Sequence, residues 1–219
     1  MPEEFDNSTP SPEIARHQAI RVLLADDMPQ YHEAVPVILN HVLKDLTVNG
    51  SLGALTLDVV HAYDGSAALK IFEDDLGAGK SFDFILTDYM MPGLGGVELA
   101  LKIRGLEKEY EKHTAIYLYS SLNLKELKEM EEKASRSWLT DLFDAEPMGK
   151  EKKSSEKFPP FVYSICEIFE SVVANKLDTL ALIRKSMENS AAEKKAGSTN
   201  NKGTSGTSQS PLLQGQPQL

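Results

Sequence analysis

The stretch Phe84-Ile85-Leu86-Thr87-Asp88-Tyr89-Met90-Met91-Pro92-Gly93-Leu94-Gly95-Gly96-Val97-Glu98-Leu99 decides how this chain is read. An apolar run meets a carboxylate at Asp88, the chain breaks at Pro92-Gly93, and a helical pattern follows over Val97–Ile103. That is a strand, a turn and a helix, with a charged group at the strand's end. Moving outward, the same unit recurs. Ile20–Ala25 is an apolar run ending in Asp26-Asp27, and residues 29–46 place Tyr31, Ala34, Val35, Ile38, Leu39, Val42 and Leu46 at helical spacing. Leu55–His61 predicts a strand, and Asp64-Gly65-Ser66 opens a helix to about Phe72. The apolar run through Asp88 starts at Phe82, and Thr114–Tyr119 predicts a strand ending in Ser120-Ser121. Residues 122–134 form a charged amphipathic helix, Leu139–Ala145 predicts a short fifth strand closed by Glu146-Pro147, and a long helix starts near Pro160.

Alternating β and α units imply a mainly parallel sheet covered by helices on both faces. In such folds the working groups lie at the carboxyl ends of the strands, near a topological switch point. Here those ends carry Asp26, Asp27, Asp88 and Ser120. Three carboxylates at adjacent strand ends repel one another unless a cation sits among them, and hard oxygen ligands suit Mg²⁺. A cation beside a carboxylate also suits phosphoryl transfer: it neutralises the incoming phosphoryl oxygens while the carboxylate attacks phosphorus. A hydroxyl such as that of Ser120 can donate a hydrogen bond to a phosphoryl oxygen.

The rest of the composition narrows the class. The chain has 219 residues, 41% hydrophobic and 26% charged, enough for one sizeable core. No stretch reaches the roughly 18 uncharged apolar residues of a membrane span. The start, Met1–Asp6, is acidic and lacks the pattern of a signal peptide. The single cysteine, Cys166, excludes an intrachain disulfide framework. A cytoplasmic setting is the expectation. Net charge is −10, with an excess of base only in residues 148–219, so nucleic acid is a poor electrostatic match. Residues 1–18 and 191–219 read as flexible ends, the latter rich in Gly, Ser, Thr, Asn and Gln. Lys150–Lys157 reads as a solvated, lysine-rich loop, and the five histidines as surface or satisfied groups.

Three pieces carry a family resemblance: Leu23-Leu24-Ala25-Asp26-Asp27, the stretch Phe84–Leu99, and Ile116-Tyr117-Leu118-Tyr119-Ser120-Ser121. They resemble the receiver domain of response regulators, the CheY-like phospho-acceptor module of two-component signalling. The resemblance implies a flavodoxin-like (βα)5 doubly wound parallel sheet over residues 19–175, with the C-terminal helix continuing over 176–190. It implies that Asp88 accepts a phosphoryl group from a histidine kinase or phosphotransfer protein. Asp27, Asp88 and the Met90 backbone carbonyl would bind Mg²⁺, with Asp26 acting through water. Ser120 would be the switch hydroxyl, Phe143 the switch aromatic, and Gly96 would supply the tight turn before the third helix. The family also has a lysine before a proline on its fifth strand. Glu146-Pro147 stands at that place in this reading, a charge reversal. The bond between them is a candidate for the cis isomer. Lys125, Lys150 and Lys152 lie close enough in sequence to supply the cation instead.

The expected function is a phosphorylation-switched protein–protein contact, not catalysis on a separate substrate. Two other readings compete. One is a pseudo-receiver that binds partners independently of phosphorylation. The other is an aspartyl-phosphate hydrolase, whose second carboxylate would fall on Met28, which cannot serve. The long helix places Val162, Ile165, Phe169, Val173, Leu177, Leu180, Ile183 and Met187 on one face. Its second half, Leu177–Met187, is expected to expose an apolar stripe suited to a homodimer or another protein target.

Overall fold

The computed structural model describes residues 18–47, 55–134, 137–150 and 160–199. The expectations for residues 1–17, for Lys152 and for residues 200–219 lie outside the described residues. Strands β1 (Ala19–Ala25), β2 (Thr56–Ala62), β3 (Phe84–Asp88), β4 (Ala115–Ser120) and β5 (Met148–Gly149) form one sheet in the order β2-β1-β3-β4-β5. All four pairings are parallel. Helices α1 (Pro29–Thr47), α2 (Gly65–Gly77), α3 (Gly96–Tyr110), α4 (Leu124–Ala134), α5 (Trp138–Leu142) and α6 (Pro160–Thr199) connect and follow them. This is a flavodoxin-like α/β fold with an extended C-terminal helix.

Each central strand is buried on both faces, as a parallel sheet between helix layers requires. Leu23, Ile85, Ile116 and Leu118 point to the layer of α2, α3, α4 and α5, where Phe72, Leu99, Ile103, Leu127 and Trp138 meet them. Ile20, Val22, Leu24, Phe84, Leu86 and Tyr119 point to the other layer, built from Val35 and Leu39 of α1 and Phe161, Ile165, Phe169 and Val173 of α6. The period-two alternation along each strand is what feeds both layers.

Three expectations are corrected. The fifth strand is not Leu139–Ala145. Trp138, Leu139, Leu142 and Phe143 are buried at helical spacing, and Trp138–Leu142 is a short helix. The chain joins the sheet only after it. The Asp144 backbone N–H donates to the Ile116 carbonyl at 3.0 Å, and the Lys150 backbone N–H donates to the Ser120 carbonyl at 2.7 Å. No cis peptide bond occurs among the described residues, so the Glu146–Pro147 bond is trans. Finally, α6 runs to Thr199 rather than closing at 190. The run Ala191-Ala192-Glu193-Lys194-Lys195-Ala196 is composed of strong helix formers, which explains the extension into what reads as tail.

The chain divides into two compact units, Met1–Ala181 and Leu182–Leu219. In the first, α6 is covered further than its pattern suggested: Leu177 packs against the core and Leu180 is fully buried. The stripe expected to be bare from Leu177 is therefore closed as far as Leu180. In the second unit the helix carries exposed Leu182 and Met187. Among the described residues no helix is long and apolar enough to cross a membrane.

Candidate functional site

The site sits where β1 and β3 end side by side. Ala25 pairs with Thr87, so the next residues, Asp26 and Asp88, fall at neighbouring strand ends, with Asp27 one step beyond. Ligand oxygens of Asp26, Asp27 and Asp88 lie within 4.8 Å of one another. Asp26 and Asp88 are buried, whereas Asp27 is exposed. Asp27 and Met90 line an open cleft of about 550 Å³ with Met91, Pro92 and Glu98. Three hard oxygen donors within 4.8 Å of one another, one of them lining that cleft, fit Mg²⁺, which binds through a few carboxylates and keeps several waters.

The loop after Asp88 is shaped by glycine at two points. Gly93 adopts a left-handed backbone (φ 76°), which a β-carbon would strain. At Gly96 the constraint is approach rather than a turn: a β-carbon would lie 2.2 Å from the Asp88 carbonyl oxygen. Gly96 thus lets α3 begin directly against the strand that carries Asp88, which corrects the role expected for it.

The cation of the site is Lys150. Its Nζ is 2.7 Å from Asp26 Oδ2 and 3.1 Å from Asp88 Oδ1, and its side chain is 6% exposed. Glu146 does not occupy that place. It is an exposed side chain whose only ion pair among the described residues is with Lys128 at 3.7 Å. The charge reversal is therefore withdrawn, and so is the reading of Lys150 as part of a solvated loop. The cause is the displaced fifth strand. With β5 at Met148–Gly149, the first residue past the strand is Lys150, the position at which the strand-end rule looks for a working group.

Lys150 is held by aromatic rings as well as by carboxylates. Its Nζ lies 4.1 Å from the centre of the Tyr31 ring and 4.5 Å from that of Tyr119. The two tyrosines pack on each other and on Phe161, from the first turn of α6. The Tyr119 hydroxyl donates to Asp26 Oδ2 at 2.5 Å, and the Met28 backbone N–H donates to Asp26 Oδ1 at 2.7 Å. Burial and the adjoining Asp26 carboxylate raise the Tyr119 phenol well above its ordinary pKa, which keeps it a donor. Burial also pushes the Asp88 carboxyl above its usual range; the Lys150 charge and hydrogen bond oppose that shift, while Asp26 adds to it. Sequence reasoning missed Tyr31 and Tyr119, because nothing local distinguishes them from core aromatics.

Ser120 ends β4, one residue past the pairing of Asp88 with Tyr119. It is buried, and its Oγ accepts from the Leu122 backbone N–H at 3.0 Å. Phe143 lies in the core against Trp138, just after α5 and ahead of the fifth strand. It is not on β5, where a switch aromatic was expected. The ring that follows Asp88 directly, Tyr89, stacks on Trp138 at 5.9 Å. His32 and His61 are hydrogen-bonded to each other (Nδ1 to Nδ1, 2.8 Å), and His32 Nε2 reaches the Asp26 carbonyl at 2.8 Å. They are satisfied groups that buttress the end of β1.

No protein-family model matches the chain. In sequence it is similar to the probable transcriptional regulatory protein NarL of Mycobacterium tuberculosis, 32% identical over 114 residues, which is 52% of this chain and 41% of that protein. The chain thus spans less than half the length of the curated relatives it matches. Among solved structures, a receiver-domain protein from Clostridium thermocellum aligns over 71% of this chain and 95% of its own, with 15% identity and a TM-score of 0.45. Chemotaxis protein CheY4 of Vibrio cholerae aligns over 70% and 98%, with 20% identity and a TM-score of 0.42. The sheet order is that of a flavodoxin-like fold, and the aspartate cluster stands at the ends of its strands β1 and β3.

Proposed function

We propose that this chain receives a phosphoryl group on Asp88 and uses that event to switch a protein–protein contact. The observation that carries the reading is the site itself: three carboxylates within 4.8 Å, with the Lys150 ammonium 3.1 Å from Asp88. Three carboxylates and one ammonium leave a formal charge of −2, which one divalent cation neutralises. Asp27, Asp88 and the Met90 carbonyl would hold Mg²⁺, with Asp26 reaching it through water. The bound ion supplies positive charge against the phosphoryl oxygens.

A carboxylate oxygen of Asp88 attacks phosphorus, the bond from phosphorus to the donor breaks, and an acyl phosphate remains on Asp88. The donor is a phosphohistidine on a kinase or phosphotransfer protein. Lys150 pairs with the phosphorylated aspartate, and the Ser120 hydroxyl turns from the Leu122 N–H to a phosphoryl oxygen. Chemistry beyond the chain's own phosphorylation and dephosphorylation is not part of this reading. The output is contact with a protein target, through the α4 to β5 side or through α6, whose exposed Leu182 also suits a homodimer. We assign the receiver to the unit ending at Ala181.

Acetyl phosphate with Mg²⁺ tests the reading, followed by intact mass. Wild type should gain one phosphoryl group, and Asp88→Asn or omission of Mg²⁺ should abolish the gain. An unmodified wild type that still binds Mg²⁺ would establish the pseudo-receiver instead.

A further inference from the structure

We infer that Tyr119 is a positioning residue that sets the metal affinity of the site by holding Asp26 out of direct coordination. The inference rests on the metal-binding reading above and concerns a residue which that reading does not use.

Residue 119 lies on the β4 face that packs against α1 and α6, among Leu24, Phe84, Phe161 and Phe169. Its neighbours there are apolar, and the side chain is completely buried. A buried phenol needs a hydrogen-bond partner. Tyr119 finds its partner by reaching across β3 to the end of β1, where it donates to Asp26 Oδ2. The same oxygen accepts from Lys150 Nζ, and the other Asp26 oxygen accepts from the Met28 N–H. Asp26 thus has three donors, two of them on one oxygen. A short O–H···O⁻ bond in a buried setting is among the stronger hydrogen bonds a protein makes.

Two consequences follow for a cation in the cleft. Part of the Asp26 charge is already shared with the phenol, so its pull on the cation is reduced. The carboxylate is also fixed in orientation, which leaves Asp27 and Asp88 as the direct ligands and Asp26 at one remove. The Tyr119 ring adds a second constraint, since the Lys150 ammonium rests on it and on Tyr31. Tyr119 therefore binds the acid and the base of the site to each other.

The test is Tyr119→Phe, which keeps the ring and the cation–π contact and removes only the hydroxyl. Mg²⁺ alone is titrated into wild type, Tyr119→Phe, Asp26→Asn and the double variant, and binding is read from the amide shifts of Asp88 and Tyr89. Tyr119→Phe should bind Mg²⁺ about 10- to 100-fold more tightly, the scale of one lost hydrogen bond to a charged group. In the Asp26→Asn background the same substitution should change affinity by less than about twofold, because its route is gone. Affinity in Tyr119→Phe that is unchanged or weaker than wild type would overturn the inference, as would an equal gain in both backgrounds. Wild type that binds no Mg²⁺ would overturn the underlying site reading and this inference with it. Wild-type binding that Asp27→Asn removes leaves the site reading standing, whatever Tyr119 does. Unfolding curves on all five proteins confirm that each is folded at the titration temperature.

Discussion

Two loops border the site, and they were not equally legible. The connection from Asp88 to Gly96 is built from local requirements: a carboxylate at a strand end, a left-handed glycine at Gly93, and a glycine at Gly96 where the helix touches the strand. Each requirement leaves its residue type in the sequence. The segment from Trp138 to Lys150 is built from distant partners. The Arg104 guanidinium, on α3, donates to the Leu142 carbonyl, the Thr114 carbonyl, Glu107 and Asp144. The Glu131 carboxylate accepts from the Leu139 N–H at 2.7 Å, and Asp144 Oδ2 accepts from the Ile116 N–H at 2.7 Å. Side chains here do the satisfying that a strand ladder would otherwise do. No residue within the segment announces those contacts. The contrast teaches that a site assembled partly by side chains from other elements is read correctly only in its local half.

The largest expected effect sharpens this comparison at Lys150. Breaking a buried ion pair by removing one partner costs about 3–5 kcal/mol. Lys150→Met leaves Asp26 and Asp88 buried without their ammonium, so chemical denaturation should show a loss of that order. Added Mg²⁺ should restore more stability to this variant than to wild type, and acetyl phosphate should no longer produce a stable phosphorylated state.

Arg104 probes the distant-partner half. Arg104→Met removes four hydrogen bonds to Thr114, Leu142 and Asp144 and a fifth to Glu107, and leaves the buried Glu107 carboxylate with the Thr114 N–H. A loss of about 2–3 kcal/mol is expected, together with rapid amide exchange at Leu142–Asp144. Exchange confined to the helix ends would break the account of how that segment is placed.

Gly96 probes the local half. Gly96→Ala drives a β-carbon into the Asp88 carbonyl, and the backbone must shift by an amount worth about 1–3 kcal/mol. Because the shift is applied at Asp88, phosphorylation should slow by more than stability alone accounts for. A variant equally stable and equally fast would show that α3 does not begin against the strand.

The smallest effect is at Glu146. It is exposed and pairs only with Lys128 among the described residues, so Glu146→Lys should leave the phosphorylation rate within about twofold of wild type. A large acceleration would restore the charge reversal that the sequence suggested.

How much was legible follows the same division. The alternation of apolar runs with helical patterns specified the doubly wound sheet, and the strand-end rule located Asp26, Asp27, Asp88 and Ser120. Strand five failed because Leu139, Leu142 and Phe143 are apolar in either conformation. Their spacing from Trp138 is helical, and that signal was available in the residues. Once the strand was misplaced, the lysine was misplaced with it. Tyr119 was out of reach of any local argument: its partner is 93 residues away, and only the fold brings the hydroxyl to Asp26.

The central claim is that Asp88, with Asp27 beside it and Lys150 upon it, is the acceptor of a phosphoryl group. Hydride trapping of the acyl phosphate, followed by peptide mass mapping, tests it most directly. After reaction with acetyl phosphate and Mg²⁺, the account predicts a single reduced residue at position 88 in wild type and in Glu146→Lys, and none in Asp88→Asn. Trapping at Asp26 or Asp27, or no trapped residue under conditions where Mg²⁺ is bound, would contradict it.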